Sequence, residues 1–348
     1  MSRPQRSRSW WARPPGWGRP RCRRSPLPDE PCACPRRRRP HRPCRAAPRS
    51  TSTGSRRTSH RTPTSTGSTP RCASPPSTRP TGACASTAPS RTRSRWTWDE
   101  LLALPMEEHM ATLSCVSNEV GGDLIGNALW LGYPIRELLA RAKPTGDADM
   151  VLSRSIDGFT AGTPLDVLQD EGTDALLAIG MNGEPLPTEH GFPARMVVPG
   201  LFGYVSATKW VTEMEVTRFA DAQGYWTPRG WSERGPVKLE SRIDTPRNGM
   251  TVTVGEQVSI AGVAWQPHTG VKAVQVRVGS GAWQQAELAE SVSADTWRQW
   301  VLRWTPTAGS HRIEVRAVSA DGEVQTSVER PPAPNGASGW ASVTVDAK

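Results

Sequence analysis

No run of about 18 apolar residues occurs in this chain, so it encodes no transmembrane helix. Its N-terminal stretch is rich in arginine but has no apolar h-region, which excludes a secretory signal there. Residues 1–95 lack Val, Ile, Phe, Tyr, Lys and Asn, and hold a single leucine, Leu27. Such a segment cannot bury enough apolar surface to offset its conformational entropy, and disorder is the expectation. Six of the seven cysteines fall in it: Cys22, Cys32, Cys34, Cys44, Cys72 and Cys84. Their spacing matches no common zinc pattern, and a disulfide framework would need a core around it. Beyond Trp96 the only cysteine is Cys115.

What is present is unevenly spread. The formal net charge of +10 over 348 residues suggests a nucleic-acid binder. However, residues 1–95 carry 23 Arg against two acids, Asp29 and Glu30, so the remainder is acidic by 11 charges. The part able to fold is therefore not predicted to bind nucleic acid. An Arg-rich tail for RNA or a membrane surface stays open through Arg36-Arg37-Arg38-Arg39. A further reading is that this Arg/Pro/Ala/Ser/Gly/Thr/Cys composition comes from GC-rich DNA translated out of frame. One admissible choice of synonymous codons for residues 65–96, shifted by two bases, is consistent with this: it gives an alternating apolar and polar segment with Asp-Pro and Asp-Gly turns that leads into Thr97. On this expectation the frame changes near Trp96. Resequencing that finds the frame intact would overturn it.

Residues 96–220 read as a chemical domain. Thr97 caps a short helix with acids in its first turn, and Pro105 stops it, although helix-like composition runs on to His109. Residues 110–116 read as a buried strand, 127–133 as a loop, and a helix follows from about Pro134. Residues 150–152 and 175–181 are strand-like and 164–171 helical. Short strands mixed with short helices, without regular alternation, point to an α+β fold. Cys115, before the turn at Gly121-Gly122, reads as a core filler, a nucleophile or a soft-metal ligand. Residues 182–210 hold His190, Arg195 and Lys209 near the turn glycines Gly191, Gly200 and Gly203. Singly they are a loop histidine and two solvated charges; together they suit a phosphate or pyrophosphate.

Residues 221–243, rich in Trp, Gly and Pro, read as a structured connector. Residues 244–348 turn all-β. About seven short strands with Gly, Asn-Gly and Asp-Gly turn signals between them predict an immunoglobulin-like β-sandwich. Trp265, Trp283, Trp297, Trp300 and Trp304 are read as packing rather than as a sugar site. His268 and His311 show no partner in the sequence.

Thr112-Leu-Ser-Cys115-Val-Ser-Asn118 resembles the molybdenum-binding cysteine segment of the sulfite oxidase family. His190-Gly-Phe-Pro-x-Arg195, Val-Val-Pro199-Gly200 and Lys209-Trp210 are similar to that family's molybdopterin-binding stretch. The resemblance runs from about Thr97 to the C-terminus. It implies a molybdenum–molybdopterin cofactor, with Cys115 as catalytic metal ligand and His190, Arg195 and Lys209 on the pterin phosphate and ring edge. Ser206 and Asp157 follow as weaker pterin partners. It also implies two-electron oxo transfer on a small-molecule substrate, and a homodimer formed through the sandwich. No haem-binding segment is visible, so an external electron acceptor is expected. Two departures concern the substrate. Family members that oxidise sulfite have two arginines after the cysteine segment's Asn, where this chain has Glu119 and Val120, and Phe159 falls where they carry a catalytic tyrosine. An S-oxide or N-oxide reductase, and an inactive fragment whose sandwich only self-associates, stand as rivals. Localisation stays open, with an extracytoplasmic site an option for an intact relative whose folded, loaded form is exported.

Overall fold

The computed structural model describes residues 94–348. Nearly all of the Arg/Pro/Ser-rich segment, with its expected disorder and frame change, lies outside the described residues. The first part of the described chain runs through α1 (Trp98–Leu102), β1 (Glu107–Ser114), β2 (Ile125–Pro134), α2 (Ile135–Ala142), β3 (Met150–Ser155) and β4 (Thr160–Pro164). It continues with α3 (Leu165–Gln169), β5 (Leu176–Met181), β6 (Glu184–Pro185), β7 (Arg195–Val197), α4 (Gly203–Ser206) and β8 (Val211–Thr217).

Local chemistry explains the edges of these elements. Thr97 and Glu100 form a reciprocal capping box: Thr97 Oγ1 accepts the Glu100 N–H, and a Glu100 carboxylate oxygen accepts the Thr97 N–H. The predicted helix start is thus observed, but Glu107 to His109 belong to β1 and not to a longer helix. Residues 127–133, read as loop, are the middle of β2. Ala128, Trp130 and Gly132 face the core at period two, and β2 pairs antiparallel with β1 on one side and β5 on the other. The α2 helix buries Ile135, Leu138, Leu139 and Ala142, one stripe at helical spacing.

Two sheets result. One is ordered β1-β2-β5-β6, with β7 also on β5; the other is β4-β3-β8. Their shared core includes Tyr133, Ile135, Val151, Leu168, Leu177, Met196 and Val198.

The second part contains β9 (Glu240–Thr245), β10 (Thr251–Val252), β11 (Val258–Trp265), β12 (Val271–Val278) and β13 (Gln284–Gln285). It ends with β14 (Glu287–Leu288), β15 (Arg298–Trp304), β16 (Gly309–Ser319) and β17 (Ala341–Ala347). One sheet is β14-β15-β11-β9 and the other β10-β17-β16-β12-β13. Alternate residues of β16, Ile313, Val315 and Ala317, point inward against Ile260, Val274 and Val276. The β9 strand begins inside the stretch read as connector, and pairs with β11. Trp265 and Trp300 are buried. Trp283 packs edge-on against Trp340, and Trp304 against His311, whose Nε2 lies 2.7 Å from Thr307 O.

The two parts are stitched together along β1 and the loop that follows it. Thr112 N–H donates to Asp295 O at 2.9 Å, and Trp297 N–H donates to Thr112 Oγ1 at 2.8 Å. Arg242 Nη1 reaches Gly122 O at 3.2 Å, and Val120 packs onto the sandwich core. Among the described residues, no helix is long and apolar enough to cross a membrane.

Candidate cofactor site

Cys115 follows directly on β1. Its N–H donates to Leu124 O at 2.9 Å, and its carbonyl accepts the Asn118 N–H at 3.1 Å, which closes a tight loop. Ser114 and Val116 on either side are buried, whereas Cys115 is exposed. The core-filler reading is thereby removed; a nucleophile or a soft-metal ligand remains. Three residues on, Asn118 is buried. Its Oδ1 accepts the Leu124 N–H at 2.9 Å, but its Nδ2 has no partner among the described residues. A buried donor left unpaired costs about 1–3 kcal/mol, which an acceptor on a ligand would recover.

The second half of the site is the turn after β6. The successive carbonyls of Thr188, Glu189 and His190 each take a side-chain donor. Trp210 Nε1 reaches the first at 3.0 Å, Lys209 Nζ the second at 2.9 Å and Arg195 Nη1 the third at 3.2 Å. Gly191, at φ 111°, sits between them; a Cβ there would lie 3.0 Å from the Lys209 Cβ and 3.1 Å from the Arg195 Cβ. Only glycine lets both cationic stems close on that point. Arg195 is 7% exposed, lies 5.0 Å from the Trp130 ring centre, and donates through Nε to Met196 O at 3.3 Å. Lys209 Nζ lies 4.7 Å from the Trp210 ring centre. Among the described residues neither cation forms an ion pair with a carboxylate. Burial alone pulls the Arg195 pKa down to about 10. A desolvated cation of this kind favours an incoming anion.

His190, Arg195 and Lys209 are therefore gathered in one cluster, although His190 contributes its carbonyl while its side chain is exposed. The end of β1 lies beside α4, because a Cβ on Gly203 would lie 3.9 Å from Ser114 O. Asp157 is exposed, and its Oδ1 accepts the Phe159 N–H at 3.0 Å. Its turn is held beside Lys209 and Trp210 by a bond of 3.0 Å from Ile156 N–H to Trp210 O. Ser206 is fully buried, and its hydroxyl donates back to Phe202 O at 3.0 Å inside α4. The Phe159 ring rests 5.9 Å from that of Tyr225 and presents no hydroxyl. Sequence reasoning missed Trp130 under Arg195, and Trp98, which packs edge-on against Phe192 at 6.0 Å. Trp130 lies on β2, the strand whose middle reads as a loop in the sequence. It also missed the partners of His268, which no sequence spacing reveals.

Residues 87–226 match the family model of the oxidoreductase molybdopterin binding domain, and residues 240–315 that of a bacterial Ig domain. The chain is 30% identical over 279 residues to the mitochondrial sulfite oxidase of Homo sapiens, covering 67% of this chain and 51% of that protein. The mouse enzyme (Mus musculus) is 29% identical over 279 residues, with 67% and 50% covered. The uncharacterized oxidoreductase YuiH of Bacillus subtilis is 32% identical over 139 residues, covering 40% of this chain and 66% of that one. The chain belongs to the sulfite oxidase family. It spans about half the length of the mitochondrial sulfite oxidases it matches. The sulfane dehydrogenase SoxCD of Paracoccus pantotrophus shares the fold, with a TM-score of 0.58 at 23% identity over 68% of this chain and 67% of that one.

The residues present fit the cofactor that this sulfite oxidase family domain is named for. An exposed thiol, a buried amide three residues away, and a buried arginine beside a lysine form the donor set, the amide without a partner and the cations without a counter-charge among the described residues. Among the described residues no three His, Cys, Asp or Glu side chains converge to hold an ion.

Proposed function

We propose that the protein is an oxidoreductase that holds molybdopterin-bound molybdenum through Cys115. What carries this is the Arg195–Lys209 cradle, which has no counter-charge among the described residues, in a chain whose Cys115 is exposed at the end of β1. Cys115 would supply one soft bond to the metal. Arg195 and Lys209 would hold the pterin phosphate, Arg195 through its planar fork and Lys209 as a point charge. His190 would lie at the ring edge, with Asp157 at the margin and the Ser206 backbone, rather than its engaged hydroxyl, along the wall. When bound, the cofactor supplies two-electron oxo transfer to or from a lone pair on the substrate, and an external acceptor or donor completes the cycle. We assign residues 96–220 to the cofactor domain, 221–243 to the connector and 244–348 to a sandwich through which the chain forms a homodimer.

One pair of observations favours a second reading of the substrate. Phe159 offers no hydroxyl to an oxyanion, and Glu119 places a negative charge where sulfite-oxidising relatives have a positive one. A neutral S-oxide or N-oxide suits such a site better than sulfite.

The test is the molybdenum content of the purified chain by elemental mass spectrometry, beside Cys115→Ala. The expected result is roughly one metal per chain, absent in the variant. Metal at background in both would overturn the assignment. Assays with artificial electron donors and acceptors then separate the oxidase reading from the reductase one.

A further inference from the structure

His268 stands in the turn between β11 and β12 with φ 68°. Its Nε2 lies 3.0 Å from Pro199 O and its Nδ1 3.0 Å from Asp295 Oδ1. Its backbone N–H donates to the same Asp295 oxygen at 2.9 Å. Both ring nitrogens thus face acceptors, a carbonyl and a carboxylate. A neutral imidazole has one N–H and can donate to only one of them, whereas an imidazolium donates to both.

The ring also determines what can stand opposite it. A Cβ on Gly200, at φ 81°, would lie 2.3 Å from His268 Nε2, so the Pro199-Gly200 turn is shaped around the histidine. The carbonyl of Asp295 in turn accepts the Thr112 N–H of β1 at 2.9 Å, three residues before Cys115. One His–Asp pair in the sandwich therefore touches both chain segments of the candidate cofactor site.

We propose that His268 is a positioning residue: as imidazolium it pins the Pro199-Gly200 turn to the sandwich through Asp295, and it releases that turn when it loses its proton. The link to cofactor rests on the reading of residues 190–209 as a cradle, but the clamp itself does not.

The charged groups facing the ring are Asp295, in the loop before β15, and Asp170, at the end of α3. Both favour the cation, as does the Pro199 carbonyl, and partial burial opposes them; the net effect raises the pKa above the ordinary 6.5. A raised folded-state value means that the clamp contributes fully below about pH 6.5 and is lost as pH rises through the folded-state pKa. Over a third of the side chain is exposed, so the ring titrates with the solvent.

The experiment is hydrogen exchange on the full chain from about pH 6 to about pH 9, expressed as protection factors corrected for the intrinsic rate. The reporters are the amide of Val237, held on Gly200 O at 2.9 Å, and that of Phe202, held on Gly235 O at 2.7 Å. Wild type should lose about tenfold in protection across this range. His268→Gln can still donate to Pro199 O but does not titrate, and should show no such step. Asp295→Asn should move the step to lower pH. An equal step in His268→Gln, or no step in wild type, would overturn the proposal. Molybdenum retained after dilution is read in parallel and should fall with pH in wild type only. If the exchange step appears but no sample holds metal, the clamp stands and the cofactor reading fails. Glu240→Gln serves as background, because Glu240 also titrates in this range.

Discussion

Arg195 is a buried cation whose polar partners among the described residues are two carbonyls, and its guanidinium carbon lies over the Trp130 ring. Lysine would keep the charge but lose the paired donors and the flat face. One hydrogen bond to a charged group is worth about 1.5–3 kcal/mol, so Arg195→Lys should loosen cofactor roughly tenfold to a hundredfold, read as molybdenum retained against dilution. Retention equal to wild type would remove Arg195 from the binding set. Phe159 makes a complementary case. The ring is held against Tyr225, and the hydroxyl that an oxyanion needs is missing. Phe159→Tyr adds it, and steady-state assays with sulfite and an artificial acceptor should show kcat/KM rising about tenfold. No change would place the substrate away from this side chain.

Among the elements, legibility followed periodicity. The α1 cap, the α2 stripe and the alternation of β16 all stood in the sequence, because each depends on neighbours in the chain. The β2 strand did not, since Gly126, Asn127 and Gly132 look like breakers until strands on both sides satisfy their backbone. The site divided the same way. The cluster of His190, Arg195 and Lys209 was visible as a motif, whereas Trp130 and the His268–Asp295 pair arrive from elements far away in sequence. The β9 strand carries a further case. Glu240 pairs in register with Trp265, is 6% exposed, and burial pushes its pKa up to about 8, with Lys238 only partly opposing. In the unfolded chain this group ionises from its ordinary 4.5 upward, while the folded chain keeps it neutral until about 8. The unfolded state then binds fewer protons, and stability falls with rising pH over that interval. Glu240→Gln removes this slope. Its stability should gain on wild type steadily between those two pH values, by an amount on the order of a few kcal/mol at the upper end, read as a growing difference in melting temperature. Parallel curves would show that the carboxyl is not desolvated.

At the scale of the molecule, the sheets of the first part and the sandwich have separate cores but share part-buried polar contacts, and Thr112 makes two of them. The side chain is 2% exposed; its hydroxyl accepts the Trp297 N–H at 2.8 Å and donates to Asn127 Oδ1 at 2.9 Å. One hydroxyl therefore ties β15's approach to β1 and β1 to β2, next to the strand end that bears Cys115. Valine has nearly the same shape, so Thr112→Val leaves the packing and removes only the polar link. It strands a part-buried donor, the Trp297 N–H, and a part-buried acceptor, Asn127 Oδ1, each at up to about 1–3 kcal/mol. Since the loss falls on the junction and not on either core, each part keeps its own stability while the coupling between them drops. Calorimetry should show one cooperative transition in wild type and two in Thr112→Val, with the calorimetric enthalpy exceeding the van't Hoff value. Thr112→Ser retains the hydroxyl and should keep the single transition. A single transition in all three would mean that the two parts are joined by apolar packing, with Val120 seated on the sandwich core as the contact to test next.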